Sequence, residues 1–443
     1  MFSTHKRHFT SSLAVQCGEG DCSESGGDSG RVRMSTTWNT GRLGDVCRVV
    51  PGYAFKSSDW QADGIPVVKI KNITGNNSVD LATTDCVPQG LLTPKLQKFV
   101  VKDGDILVAM TGATAGKVGK VRTNRPLLLN QRVAKIAPVD ADPDFIWAIV
   151  SSQEYQERFF YLADGAAQPN MSGGQIEGVE VPLPPLPVQR RIAGILTAYD
   201  ELIENSQRRI KILDSMARAL YREWFVHFRF PGHESVPRVP SPLGEIPQGW
   251  EVKKLSAVAE VNRSQINARS ALEALHYIEI SSVSPGQIDS TTTYAFADAP
   301  GRARRIVQHG DMLWSCVRPN RRSYAQVMHP APDTIASTGF AVLTATKVPF
   351  TFLFFATTTD DFVAYLTNNA TGAAYPAVTA PTFEKADLLV PSVALLKKFG
   401  DVTIPIAEEI HTLQRQIQNL RRTRDLLLPR LLSGQIDVEA IPS

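Results

Sequence analysis

With 443 residues, 43% hydrophobic content, 21% charged residues and a formal net charge of +3, the chain has the size and balance of two or three globular domains. No apolar run approaches the roughly 20 residues of a membrane helix, and the first forty residues lack a signal-peptide core, so a cytoplasmic setting without membrane partners is expected. The five cysteines (Cys17, Cys22, Cys47, Cys86 and Cys316) are odd in number and never spaced C-x-x-C, which points away from a disulfide framework and a zinc site.

Taken in chain order, residues 1–33 include "GEGDCSESGGDSG" (Gly18 to Gly30), too polar and glycine-rich to bury a core, and read as a disordered leader. "MSTTWNTGRLGDV" then opens at Met34 like a domain start, so the upstream stretch could reflect a mis-called start codon. The next feature is "GDILVAMTGATAGKVGKV" (Gly104 to Val121), whose glycines and lysine invite comparison with a phosphate-cradling loop. That loop needs G-x-x-x-x-G-K-[ST] and an immediate helix. Here the Gly112 to Gly116 spacing is one residue short and Val118 replaces the hydroxyl. The following "KVGKVRTNRP" reads as a strand that stops at Asn124 to Pro126, so a hairpin is predicted.

The same stretch recurs. "GDMLWSCVRPNRRSYAQV" (Gly310 to Val327) lies 206 positions downstream with its Gly-Asp, apolar run, polar tip and final valine in register. "LADGAAQPN" (Leu162 to Asn170) returns as "NNATGAAYPA" (Asn368 to Ala377), "GVEVPLPPL" as "DLLVPSVAL", and "TWNTGRLGDV" as "GWEVKKLSAV". An internal repeat is therefore expected, each half running from a tryptophan (Trp38 or Trp250) through a strand-rich unit to a long helix.

The helices carry the clearest periodicity. Ile203, Ile210, Leu213 and Leu220 belong to a seam of alternating three- and four-residue steps, and Ile410, Leu413, Ile417, Leu420 and Leu427 repeat it in the second half. Arg424 stands in the second seam where Ala217 stood in the first, and Pro405 and Pro429 predict a shorter or kinked second helix. The reading is an α+β fold in which two α/β domains alternate with two long helices that pair as an antiparallel coiled coil about a pseudo-twofold axis. A helix of about 40 residues would hold the units roughly 60 Å apart, like a ruler. The plainer alternative docks each seam onto its own domain.

Basic residues cluster at matching places in both halves. Between Lys95 and Lys135 nine Lys or Arg face only Asp103 and Asp105, and between Arg302 and Arg322 six arginines face Asp311 alone. Tips rich in Arg, Lys, Asn and Thr can set charge against phosphates and hydrogen-bonding groups against base edges. The candidates in the first copy are Thr111, Thr114, Lys117, Lys120 and Arg122, with Gln168 and Asn170 from the later segment. In the second copy they are Arg318, Asn320, Arg321, Arg322 and Tyr324, with Tyr375. A further polar set, Asn130, Gln131 and Arg132 in one copy and Ser337 and Thr338 in the other, follows an apolar strand in each. The bland alternatives are a solvated loop for a tip and a turn cap for the Asn-Gln pair.

No hydrolase, zinc-protease or base-amino methyltransferase motif occurs, His227 and His276 read as fillers, and Asp200, Glu201 and Glu204 read as a solvated helix face. A reader without catalytic or metal residues is expected, the rivals being a coiled-coil interaction adaptor and a nucleotide-dependent enzyme using Gly112 to Lys117.

Several long motifs in order, "GDILVAMTGATAGKVGKV", "PLPPLPVQRRIAGIL", "LIENSQRRIKILDSMARALYREWFVHFRFPGHE", "GEIPQGWEVKKL" and "LLLPRLLSGQIDV", closely resemble the specificity subunit of type I restriction-modification enzymes, from Met34 to Val438. The resemblance implies target-recognition domain 1 at 34–186, conserved helical region 1 at 187–230, linker and target-recognition domain 2 at 231–392, conserved helical region 2 at 393–438 and a tail at 439–443. It further implies one DNA half-site per recognition domain, docking of two modification (methyltransferase) subunits and of restriction subunits, and S-adenosylmethionine, ATP and Mg on those partners with no cofactor in this chain. The second tip departs from the commoner "TGAT-GK" pattern, having "RPNRRS".

Overall fold

The computed structural model describes residues 38–75, 77–163, 170–267, 270 and 272–438. The expected leader at 1–33, the tail at 439–443 and the candidate Gln168 lie outside the described residues. Among the described residues no helix is long and apolar enough to cross a membrane.

Each half is built on short strands whose two faces are both apolar. In "ILVA" (Ile106–Ala109) all four residues are buried. Ile106 and Val108 face a cluster with Phe145 and Ile149, while Leu107 and Ala109 face one with Val68 and Val101. The two-residue period thus serves two cores at once. Its counterpart Met312–Ser315 does the same, sending Met312 and Trp314 one way and Leu313 the other.

Around these strands the first half forms one four-stranded sheet in the spatial order Cys47–Pro51, Val133–Pro138, Ile106–Ala109, Val118–Lys120. A second sheet runs Asp85–Val87, Ile65–Val68, Leu127–Leu129, Val100–Val101, with the middle pair parallel. The second half has the same two orders: Ala259–Val261, Phe340–Ala345, Met312–Ser315, Tyr324–Gln326, and Thr292–Ala295, Ala274–Ile278, Thr334–Ser337, Ala303–Ile306, again with a parallel middle pair. In the first half helix Pro143–Val150 covers the outer face, started by Pro143 and by the Asp142 side chain, which accepts from the Asp144 and Phe145 N–H groups.

The long helices are Leu186–Tyr221, 36 residues, and Val393–Leu432, 40 residues. The second helix is therefore the longer one and continuous, against the expectation that its prolines shorten it. Pro405 and Pro429 both lie on the solvent side, so the carbonyls they leave unpaired one turn back meet water. Buried Phe399, Thr403, Leu413, Leu428 and Leu431 hold the helix from its inner side.

Both helices join the two halves. Val188, Ile192 and Leu196 begin the first helix in the first core, where Leu428 and Leu431 end the second. Leu395 and Phe399 begin the second helix in the other core, where Ala217 ends the first, and Phe399 lies 6.1 Å from the Tyr221 ring. Past Tyr221 a single wider turn, Arg222–Val226, drops Phe225 against Phe352 and Phe399 at 5.1 and 4.9 Å.

Of the proposed seam residues, Ile203, Leu413 and Ile417 are buried, and Ile210, Leu213, Leu220, Ile410, Leu420 and Leu427 are partly so. Asp200 departs from the solvated reading given to it. Its carboxylate accepts from Trp147 Nε1 at 3.1 Å and from Arg424 Nη1 at 2.6 Å. Arg424 is thus tolerated in the seam because an acid on the facing helix meets it.

Candidate nucleic-acid interface

"TGATAGK" forms a tip between two antiparallel strands, Ile106–Ala109 and Val118–Lys120. A strand, and no helix, follows Lys117, so no helix N-terminus faces the loop as phosphate cradling requires.

Three segments far apart in sequence converge at this tip. The Met110 N–H donates to the Arg132 carbonyl at 3.0 Å, and the Met171 N–H donates to the Met110 carbonyl at 2.9 Å. Thr111 pairs beside them with Asn170. The second half repeats the arrangement: Cys316 N–H to Gly339 carbonyl at 2.8 Å, Val378 N–H to Cys316 carbonyl at 2.9 Å, and Val317 paired with Ala377. Backbone ladders therefore bring the tip, the polar set after the apolar strand and the Asn170 or Tyr375 segment onto one surface in each half.

Asn170, Gln131, Arg132, Asn320, Arg321, Thr338 and Tyr375 are exposed there, and Thr111, Thr114, Lys117, Asn130, Arg318 and Arg322 are half-exposed. Arg318 lies 4.5 Å over the Tyr375 ring and donates to the Ala374 carbonyl at 3.2 Å. Four sequence candidates need correction. Tyr324 and Ser337 are 5% and 1% exposed and cannot meet a ligand as they stand. Tyr324 packs 5.0 Å from Trp314, and Ser337 Oγ accepts from the Gly339 N–H. Lys120 and Arg122 sit at the opposite end of the hairpin from its tip, committed to Asp144 and to Glu204 of the first long helix.

The two tips share one backbone shape built from different residues. Gly112 and Gly116 take φ of +74° and +83°, and the residues 206 positions on, Arg318 and Arg322, take +51° and +56°. Glycine adopts this region freely. An arginine there costs about 1–2 kcal/mol, and such strain persists where the side chain has a task. At position 116 only glycine fits, because a Cβ would stand 2.6 Å from the Gln156 carbonyl oxygen. In the second copy the side chain of Arg322 instead reaches Asp360.

That hydrogen bond holds the Asp360 carboxyl below its ordinary value. A carboxylate with a lowered folded pKa contributes stability above its unfolded pKa of about 3.9 and loses it as pH falls through the folded value. Thermal midpoints of the wild type and Asp360→Asn should differ slightly at pH 7, the pair being exposed, and converge once the pH has fallen through the lowered folded value. An equal gap above and below that value would contradict the pairing. Burial pushes the Cys316 thiol up to about 11, with Arg305 acting against it, so this cysteine stays a neutral packing group.

Two features escaped the sequence reading. Thr111 Oγ1 and Arg305 Nε are the buried side-chain atoms without a hydrogen-bond partner among the described residues, and both stand beside the converging ladders. Next to Asn130, the half-exposed rings of Tyr53, Phe55, Trp60 and Phe99 meet edge-on or tilted, with centroids 5.1–5.5 Å apart and Lys69 Nζ 3.4 Å over Trp60. The signal was present in "GYAFKSSDW", aromatic residues interleaved with a base, but only the pairing of Tyr53 with Asn130 places it at the site.

Comparison with known proteins follows the same outline. Residues 35–214 match the family described as type I restriction modification DNA specificity domain. The type I restriction enzyme MjaIX specificity subunit of Methanocaldococcus jannaschii is 22% identical over 417 residues, spanning 92% of this chain and 96% of that protein. The HindI specificity subunit of Haemophilus influenzae is 22% identical over 422 residues, spanning 77% and 89%. In fold, the crystal structure of the type I restriction-modification S subunit from M. genitalium aligns with a TM-score of 0.54 at 15% identity, covering 90% of this chain and 97% of that one.

Proposed function

We infer, from its similarity to type I restriction-modification specificity subunits, that this chain is the non-catalytic DNA-reading subunit of such a complex and that each strand-rich unit reads one half of a split target. The observation that carries this reading is the duplicated convergence: the same three segments meet at a polar tip in both halves. Arg318, Asn320, Arg321 and Tyr375 in one unit, and Thr114, Lys117, Gln131, Arg132 and Asn170 in the other, supply the phosphate and base-edge contacts. The clustered rings of Tyr53, Phe55 and Trp60 add apolar surface beside them.

The recognition domains are taken at 34–186 and 231–392 and the helical regions at 187–230 and 393–438. The helices act as an antiparallel coiled coil about a pseudo-twofold axis. What supports this is that Asp200 meets Arg424 while Arg209 meets Glu409, so residue numbers rise along one helix as they fall along the other. At 1.5 Å per residue they span about 54 and 60 Å and fix the gap between half-sites. Two modification subunits dock on this spine, restriction subunits join that core, and S-adenosylmethionine, ATP and Mg belong to those partners.

The test is a map of methylated adenines in the host with and without this chain. Two short specified sequences separated by an unspecified gap of fixed length are expected to disappear with the gene. A continuous motif, or no dependence on the chain, would end the proposal.

A further inference from the structure

The second hairpin touches the second long helix through a cluster that half-site reading does not use. Its tip is at Arg318 to Arg322. At its other end His309, before strand Met312–Ser315, and His329, after strand Tyr324–Gln326, meet Glu408 of the helix. His329 Nε2 lies 2.7 Å from Glu408 Oε2, and His309 Nε2 lies 3.8 Å from Glu408 Oε1. One ligand-type atom from each of the three falls within 4.8 Å of the others. The two imidazole rings are 4.4 Å apart, and the ring of His411, three residues along from Glu408, is 5.6 Å from that of His329.

The first copy shows that this turn does not need histidines. Asp103 and Thr123 stand 206 positions before His309 and His329. There the Thr123 N–H donates to the Asp103 carboxylate at 2.9 Å, and in the second copy the His329 N–H donates to His309 Nδ1 at 3.4 Å. The aspartate closes the turn with the better bond. His329 also holds φ at +46°, a left-handed conformation that is strained for any side chain. The first hairpin is tied to its own helix by a simple ion pair, Arg122 to Glu204 at 3.5 Å.

We propose that His309, His329 and Glu408 bind a divalent transition metal of the zinc class, which clips the base of the second hairpin to the second long helix. Two imidazoles and one carboxylate are a zinc donor set, and bonds of about 2.0–2.2 Å to a tetrahedral ion place donors roughly 3.3 Å apart. Small side-chain rotations close the present spacing to that value. Binding displaces the proton between His329 and Glu408, and His309 carries its proton on Nδ1 to free Nε2, giving up the long bond to the His329 N–H. The fourth position is open to water or His411. The metal does no chemistry here; it fixes the angle at which the second tip leaves the spine.

The experiment strips the full-length chain with a chelator and titrates it with Zn2+, counting bound metal. One equivalent should depend on the cluster, with the dissociation constant raised on the order of 100-fold in His329→Ala and Glu408→Gln, since losing even a ligand's supporting partner costs about 10–100-fold. Zn2+ should raise the thermal midpoint of the wild type and leave that of Glu408→Gln unmoved. Glu408→Gln keeps an acceptor for His329 and so remains informative if His329→Ala fails to fold. Co2+ in place of zinc should give visible absorption without a sulfur charge-transfer band, separating this site from Cys17 and Cys22. Absence of binding, equal affinity in wild type and variants, or a sulfur band that the variants leave unchanged would overturn the proposal.

Discussion

Replacing Leu413 with alanine should lower the unfolding free energy by about 2–3 kcal/mol in chemical denaturation, the low end of the range for buried leucines. Leu413 is 1% exposed at the middle of the helix pair, on the side where Ile203 and Ile417 are also buried. The spine is only two helices thick there, so part of the cavity closes by helix approach, which argues for the low end. By contrast Glu409→Ala should change stability by less than about 1 kcal/mol, because the exposed Arg209 to Glu409 pair gains little over solvation. Burial of the apolar seam therefore decides whether the helices stay together. If Leu413→Ala costs no more than Glu409→Ala, each helix is held by its own domain and the ruler is wrong.

Arg318→Gly combined with Arg322→Gly should separate stability from recognition. Glycine relieves the left-handed strain of about 1–2 kcal/mol per residue, while its greater freedom in the unfolded chain returns roughly 0.5–1 kcal/mol. The ion pair with Asp360 disappears but is exposed, so the net change in thermal midpoint should be near zero or upward. Binding to the second half-site should weaken about 5- to 150-fold, the equivalent of one base-edge interaction of roughly 1–3 kcal/mol. For each arginine that neutralises a phosphate, its removal should also lower the salt dependence by about 0.9 in log-log slope. Competition between duplexes altered in one half-site at a time reads this directly. Weakening spread equally over both half-sites, or none at the second, would remove Arg318 from the interface.

The two copies also show how much was legible beforehand. The repeat was readable because each matching motif is contiguous, and its 206-residue offset correctly paired the two hairpins. The two long helices were readable because helical neighbours are three and four residues apart. What misled was residue type taken without its surroundings. Pro405 and Pro429 predicted a shorter or kinked helix, yet packing on the opposite face carries it unshortened past both. Asp200 read as solvated, yet it holds Trp147 and Arg424. Lys120 and Arg122 read as tip residues, but lying three and five residues beyond Lys117 put them at the helical end, and Tyr324 and Ser337 turned inward.

By itself, then, the sequence determined the alternation of strand-rich units and long helices, the duplication, and the concentration of basic charge in matching regions, all of which are periodic or contiguous properties. The tertiary structure alone decided which polar side chains share a surface. Met110, Arg132 and Met171 meet only through backbone pairing between distant strands and loops. That pairing is selected by burial on both faces of the sheet and leaves no local mark on the residues it brings together.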